Sequence, residues 1–176
     1  MHNLHTARLS LRPLRSDDID WVSALSADAR VMATMGGVRS AAQVRVWFER
    51  ELAHLDRYGY CRNIVSHQGD SIGLVGLTRS DFDAGVVPGI EVAWQLAYAH
   101  WGQGFATEAA RRVIEDAFTT HALSEVIAVT SIGNARSRRV MARLGMLYCP
   151  DETFAHPHLN EGSSLRTHVV YRLSRS

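Results

Sequence analysis

The sequence contains no lysine, and all nineteen of its basic residues are arginine. That excludes a Schiff base to pyridoxal phosphate or to a carbonyl substrate, and a phosphate-binding loop ending in Lys-Ser or Lys-Thr. Cysteine is scarce as well. Cys61 and Cys149 form no Cys-x-x-Cys, and two thiols in 176 residues do not make a disulfide scaffold, so both are expected to be reduced. No stretch approaches the ~18 apolar residues of a membrane span. The start, Met1-His2-Asn3-Leu4-His5, lacks a basic segment followed by an apolar run. The expected address is therefore the cytoplasm, with no membrane partner. Charge of one sign is missing too. Nineteen basic and eighteen acidic residues leave +1 with His neutral, so no global field attracts nucleic acid, and any anion site must be local.

What is present is a globular composition, 46% hydrophobic and 21% charged, at a length that fits one domain spanning residues 1–176. Alternation over residues 6–14 predicts an opening strand that Pro13 confines to an edge or an end. Ser16-Asp17-Asp18 starts a helix running to about residue 28. A second helix follows Ser40, carrying Val44, Trp47, Phe48, Glu51, Leu52 and Leu55, and Gly59 ends it. Residues 62–67 and 71–78 around Gln68-Gly69-Asp70 predict a hairpin. A loop with Asp81, Asp83, Gly85 and Pro88 leads to a strand over residues 90–98. Its apolar face is Ile90, Val92, Trp94, Leu96 and Tyr98, and its other face, Glu91, Ala93, Gln95 and Ala97, is small and polar. Partial exposure explains such a face, and so does a ligand lying against it. Residues 106–118 give the clearest helical period, through Ala106, Ala109, Ala110, Val113, Ile114, Ala117 and Phe118. A strand over 125–131, a short helix after Gly133-Asn134 and a last strand over 165–173 complete the chain. Residues 147–164, with Pro150, Pro157 and Gly162, form a long connection expected to face substrate.

Chemistry concentrates at His100-Trp101-Gly102-Gln103-Gly104-Phe105-Ala106-Thr107-Glu108. A strand ends there, two glycines let the backbone turn, and a strong helix begins. Unpaired amides and the positive helix end then face one spot, which suits phosphate or pyrophosphate. Glycine at such a join also serves turn geometry alone. A dinucleotide fingerprint would need Gly at position 107, where Thr stands, and an acidic residue ending the next strand, which instead ends at Ser131. Asn134 and Ser137 read as a helix N-cap with a local partner. Arg136, Arg138, Arg139 and Arg143 crowd the same short helix, where most form a solvated basic face.

Three segments, in order, resemble the GCN5-related N-acetyltransferases, and within them the branch with the ribosomal-protein N-terminal alanine acetyltransferases. They are Thr6-Ala7-Arg8-Leu9-Ser10-Leu11-Arg12-Pro13-Leu14, Trp101-Gly102-Gln103-Gly104-Phe105-Ala106-Thr107-Glu108-Ala109, and Asn134-Ala135-Arg136-Ser137 continuing to Leu144-Gly145. The family's loop begins with Arg or Gln. Gly104 and Ala106 match its glycine pattern, and Trp101 departs from its first position. The resemblance implies an α/β fold with a mixed, mostly antiparallel central sheet flanked by helices, in which the strand at 96–98 and the one from Glu125 form an opened parallel pair. It implies transfer of acetyl from acetyl-coenzyme A to a primary amine, either a protein N-terminus or a small molecule. A non-catalytic acyl-coenzyme A-binding or regulatory protein is the alternative. The pantetheine arm is expected along Leu96, Ala97 and Tyr98, and the pyrophosphate on the amides of Gly102, Gln103, Gly104, Phe105, Ala106 and Thr107 beside Trp101. Asn134 and Ser137 are expected to touch the cofactor arm.

An ammonium has no lone pair to attack a thioester, so a base is needed. Glu91 is the candidate, on the ligand-side face and at a place where the branch often has Glu; a surface carboxylate at a strand start is the plainer reading. Many relatives supply an acid as Tyr on the last short helix, where Met141 stands here; Tyr148 lies just beyond. His156-Pro157-His158 with His168 matches no structural zinc spacing, and no metal is expected. Self-association as a homodimer through a sheet edge is expected by analogy only.

Overall fold

The computed structural model describes residues 2–79 and 89–175. The expected loop through Asp81, Asp83, Gly85 and Pro88 therefore lies outside the described residues. Among the described residues eight strands form one sheet: β1 (Leu4–His5), β2 (Leu9–Pro13), β3 (Arg62–His67), β4 (Asp70–Arg79), β5 (Ile90–Leu96), β6 (Glu125–Ser131), β7 (Leu147–Ala155) and β8 (Thr167–Ser174). Their spatial order is β1-β2-β3-β4-β5-β6-β8-β7, and every neighbour is antiparallel except β5 and β6. The helices are α1 (Ile19–Ala27), α2 (Ala29–Met32), α3 (Ala41–Tyr58), α4 (Phe105–Thr119) and α5 (Ala135–Arg143).

Local signals place most of these elements. Ser40 caps α3 and exchanges hydrogen bonds with Gln43 in a capping box, and Gly59 closes the helix at φ +76°. Pro13 ends β2, as its missing N–H requires. The apolar period of α4 buries Ala109, Ala110, Val113, Ile114 and Ala117 against one face of the sheet, where Leu11, Val65, Val75, Val92 and Leu96 meet them. The opposite face, with Ile64 and Leu74, packs against Val22 and Leu25 of α1 and Val44 and Phe48 of α3. The sheet is thus covered on both sides, and the space between β5 and β6 opens toward both helical layers.

Two expectations need correction. The strand expected to reach Tyr98 stops at Leu96, because the backbone turns at Ala97 into a single 3-10 turn in which Trp101 N–H donates to the Tyr98 carbonyl. Half of the expected connection at 147–164 is strand. Leu147–Ala155 pairs with β8, and Pro150 sits in the irregularity between Cys149 and Phe154. Proline is tolerated there because β7 is the outermost strand. Arg172 of β8 fastens this edge, donating to Glu152 of β7 at 2.7 Å and to Glu125 of β6.

Close packing beside the opening depends on Gly76 in β4. A Cβ there would stand 2.2 Å from the Cys61 carbonyl oxygen and 2.5 Å from the Arg62 Cα, and neither can yield without moving the sheet. Gly76→Ala is therefore expected to lower stability by about 3 kcal/mol in urea titrations. Gly133→Ala, where nothing lies within 4 Å, should cost less than about 0.5 kcal/mol.

Candidate functional site

Parallel strands β5 and β6 pair at a single register position, Glu91 with Ile127. Beyond it the strands run on without further pairing and spread apart. Ala97 N–H donates to Ile72 across β4, so strand alternation turns the N–H and C=O of Val92, Trp94 and Leu96 the other way, toward the gap. The Leu96 carbonyl is filled by the Trp101 indole N–H at 2.8 Å. The open backbone at Trp94 remains available to an extended ligand. A cleft of about 630 Å³ occupies the gap, within the usual range for small-molecule sites.

The cofactor-side wall is the turn into α4. Gly102 and Gly104 sit at φ +77° and +82°, in left-handed conformations that favour glycine. The α4 N-cap is Gly104, and no side chain caps it. The first-turn amides, which have no intrahelical acceptor, thus face the cleft mouth. Thr107 Oγ1 is buried without a hydrogen-bond partner among the described residues. An orphaned hydroxyl beside a helix N-terminus fits a phosphate oxygen. Arg136, Arg139 and Arg143 line the same side, and the Arg136 guanidinium lies 4.8 Å over the Trp101 ring. Arg138 turns away to Tyr171.

A clamp absent from the sequence reading holds this turn. Glu108 of α4 accepts from the Thr6 hydroxyl at 2.6 Å and the Arg8 Nε at 2.7 Å, and Arg8 also donates to the Gln103 carbonyl at 3.2 Å. Burial works against the Glu108 charge, but the Thr6 and Arg8 hydrogen bonds prevail and hold its carboxyl below the usual range. The motif matches at Thr6, Arg8 and Glu108 were the available signal, since two of the three matched segments meet here.

Ten of the residues singled out from sequence line the cleft: Glu91, Leu96, Trp101, Gly102, Gly104, Phe105, Ala106, Thr107, Asn134 and Ser137. Three lie elsewhere. Ala97 packs under α1 and α3, Tyr98 is half-exposed with Arg30 stacked on its ring at 4.5 Å, and Gln103 folds back onto the Ala99 carbonyl. Asn134 is a true cap, accepting from Ser137 N–H at 3.2 Å. Its amide nitrogen donates to Thr130 at 2.9 Å, and the Ser137 hydroxyl accepts from the Trp94 indole at 3.3 Å. Met141 is buried in the core, and neither Tyr148 nor any other tyrosine or cysteine is among the residues lining the cleft. His156 and His168 line its far side, their rings 4.7 Å apart. Burial and the neighbouring histidines hold His156 down at about 4. Among the described residues no cluster of His, Cys, Asp or Glu could hold a metal.

Glu91 stands where the two strands part. Burial pushes its carboxyl up from 4.5 to about 7, with nearby Glu51 adding to the rise and Arg62 opposing it. Below pH 4.5 the group is protonated whether folded or not. As pH climbs from 4.5 to 7 the unfolded chain releases this proton first, so folding loses stability through that window. Each tenfold in protonation is worth about 1.4 kcal/mol, so the ionised group lowers stability by on the order of 3 kcal/mol. Glu91→Gln is expected to raise Tm at pH 8 and leave it unchanged at pH 4, as differential scanning calorimetry would read.

Comparisons with known proteins agree with this geometry. Residues 8–147 match the Acetyltransferase (GNAT) domain. The FsC-acetyl coenzyme A-N(2)-transacetylase of Aspergillus fumigatus is 31% identical over 187 aligned residues, covering 98% of this chain and 76% of that protein. The crystal structure of an acetyltransferase from Agrobacterium tumefaciens superposes with a TM-score of 0.80 at 26% identity, covering 99% of this chain and 95% of the other. A Salmonella typhimurium acetyl transferase that modifies the N-terminal serine of ribosomal protein L7/L12 superposes at 0.80 over 99% and 100% of the two chains. At 12% identity that last likeness is one of fold. With its opened parallel pair, glycine turn and matching domain, the chain belongs to the GNAT family and is an acetyl-coenzyme A-dependent N-acetyltransferase.

Proposed function

We propose that acetyl-coenzyme A lies on the α4–α5 side of the cleft and the acceptor amine on the α1–α3 side, with Glu91 as general base between them. The observation that carries this reading is Glu91 itself, a carboxyl poised at about 7 where β5 and β6 part. A base is most effective with a pKa near the working pH. The pyrophosphate would rest on the amides of Gly102, Gly104, Phe105, Ala106 and Thr107, with the Thr107 hydroxyl donating to it. The pantetheine arm would run along the open edge of β5 at Trp94.

In the reaction, the Glu91 carboxylate takes a proton from the acceptor ammonium, directly or through water. The freed lone pair attacks the thioester carbonyl, the nitrogen gives up its second proton to water, and the C–S bond breaks to leave the amide and release coenzyme A as thiolate. A thiol with a pKa of about 8.5 leaves without a dedicated acid, in keeping with a cleft that no tyrosine or cysteine lines. The fold is shared with RimL-like enzymes of protein N-termini and with enzymes of small amines, and we place this chain with those that act in the cytoplasm on one of these acceptors.

Two measurements test the assignment. Glu91→Gln should lower kcat by about a hundredfold or more with acetyl-coenzyme A affinity retained. The wild-type rate should rise with pH through about 7, because the ionised carboxylate is the active form, and the variant should lack that rise. A variant with undiminished kcat would remove Glu91 from the mechanism. Gly104→Val, which forces a β-branched residue to φ +82°, should raise KM for acetyl-coenzyme A at least tenfold in a thiol-release assay. Thiol release that stays silent across amines and peptides, despite cofactor binding, would favour a non-catalytic acyl-coenzyme A sensor.

A further inference from the structure

Charge is unevenly matched at the acceptor end of the cleft. Three arginines line the cleft on that side: Arg30 of α2, which pairs with Asp28 at 2.7 Å, Arg39 from the segment preceding α3 and Arg62 from the start of β3. Arg62 is satisfied. Its guanidinium donates to Glu51 at 2.7 Å, and its backbone N–H reaches the same buried carboxylate at 3.2 Å. Arg39 has no such partner. Among the described residues no carboxylate lies within ion-pair distance of its side chain, and its one close aromatic contact is Trp47, whose ring centroid is 5.6 Å away. Arg62 stands 5.4 Å from the same ring, so two cations share one indole while a single carboxylate serves them. Burial, with the Arg62 charge adding to it, holds the Arg39 pKa below the ordinary arginine range.

A half-buried cation without an anion carries a desolvation cost that an entering oxyanion removes. A guanidinium suits a carboxylate best, since its planar donors match two oxygens at once. The local balance sets the charge of the guest. Glu51 offsets Arg62 and the acceptor's own ammonium offsets the ionised Glu91, which leaves one positive charge at Arg39, while His156 and His168 are held neutral by burial. A monoanion neutralises that surplus. A phosphomonoester dianion would overshoot it beside Glu51 and Glu91.

We infer that the acceptor is an amine whose molecule also carries a single carboxylate, held by Arg39, with its amine directed to Glu91. The inference rests on the acetyl-transfer reading of the cleft and narrows it to amino-acid-like acceptors over peptide N-termini that lack a nearby carboxylate.

The test compares α-, β- and γ-amino acids with their primary amides and with the corresponding plain amines. Phosphoethanolamine serves as a dianionic arm and an uncharged peptide amide as an N-terminal arm. The expected result is a kcat/KM for at least one amino acid about tenfold or more above that of its amide, the scale of one charge-assisted hydrogen-bonded pair. Arg39→Gln should erase the preference and Arg39→Lys restore part of it, with KM for acetyl-coenzyme A unchanged in both. Equal rates on acid and amide, a preference that survives Arg39→Gln, or faster turnover of phosphoethanolamine or the peptide would overturn the inference. Calorimetry on the full chain with coenzyme A bound, titrated with N-acetylated amino acids and their amides, reads the same preference without turnover. Arg39-dependent binding of the acids with no acetylation of any amine would sink the acetyl-transfer reading and leave the anion site standing. Failure of every acid to bind or react would sink the anion site.

Discussion

One pairing defect organises the molecule. Strands β5 and β6 lie side by side in parallel and join at Glu91 and Ile127 alone. A regular ladder would have sealed the sheet there. Instead the strands part, and the backbone polar groups of β5 at Trp94 are left without a strand partner, whereas buried backbone groups are ordinarily paired. The unfilled edge is tolerable because a ligand with its own amides can complete it. Both helical layers depend on the same gap, α4 bringing its N-terminus to one side and the segment between α2 and α3 bringing Arg39 to the other.

The two sides solve opposite electrostatic problems. On the α4 side the positive helix end must stay open for an anion, yet an acidic residue in the first turn would ordinarily fill it. Glu108 is drawn outward by Thr6 and Arg8 instead, stabilising the helix from behind while the amides at Gly104 to Thr107 stay clear. Trp101, at the position where relatives carry Arg or Gln, ties the turn to β5 through the Leu96 carbonyl and receives Arg136 on its ring. The departure from the family loop thus has a structural function of its own.

On the other side a carboxyl is held about half protonated near pH 7 by a place that disfavours its charge. Arg62 relieves it only in part, being committed to Glu51. The arrangement costs stability whenever Glu91 ionises, and that cost is the physical counterpart of its basicity. A carboxylate stabilised by a tight ion pair, like Asp18 beside Arg12 at 2.5 Å, would be a poor base.

Much of this was legible in the residues because it is local. Periodicity and caps marked α3, α4 and the hairpin within a residue or two, and Gly102 and Gly104 announced a turn that only positive φ permits. Strand alternation placed Glu91 on its ligand-facing side, and the ordered motifs identified the family. Tertiary structure alone decided the rest, because it depends on partners distant in the chain. Whether Leu147–Ala155 was loop or strand turned on the free edge that β8 offered. Where Tyr98 and Gln103 pointed turned on a single backbone turn. The Glu108 clamp spans a hundred residues, and the unmatched charge at Arg39 exists only because Glu51 of α3 and Arg62 of β3 found one another. Helix starts and turns are set by the chemistry of neighbouring residues, whereas burial, charge balance and the opening of a sheet are properties of the packed whole.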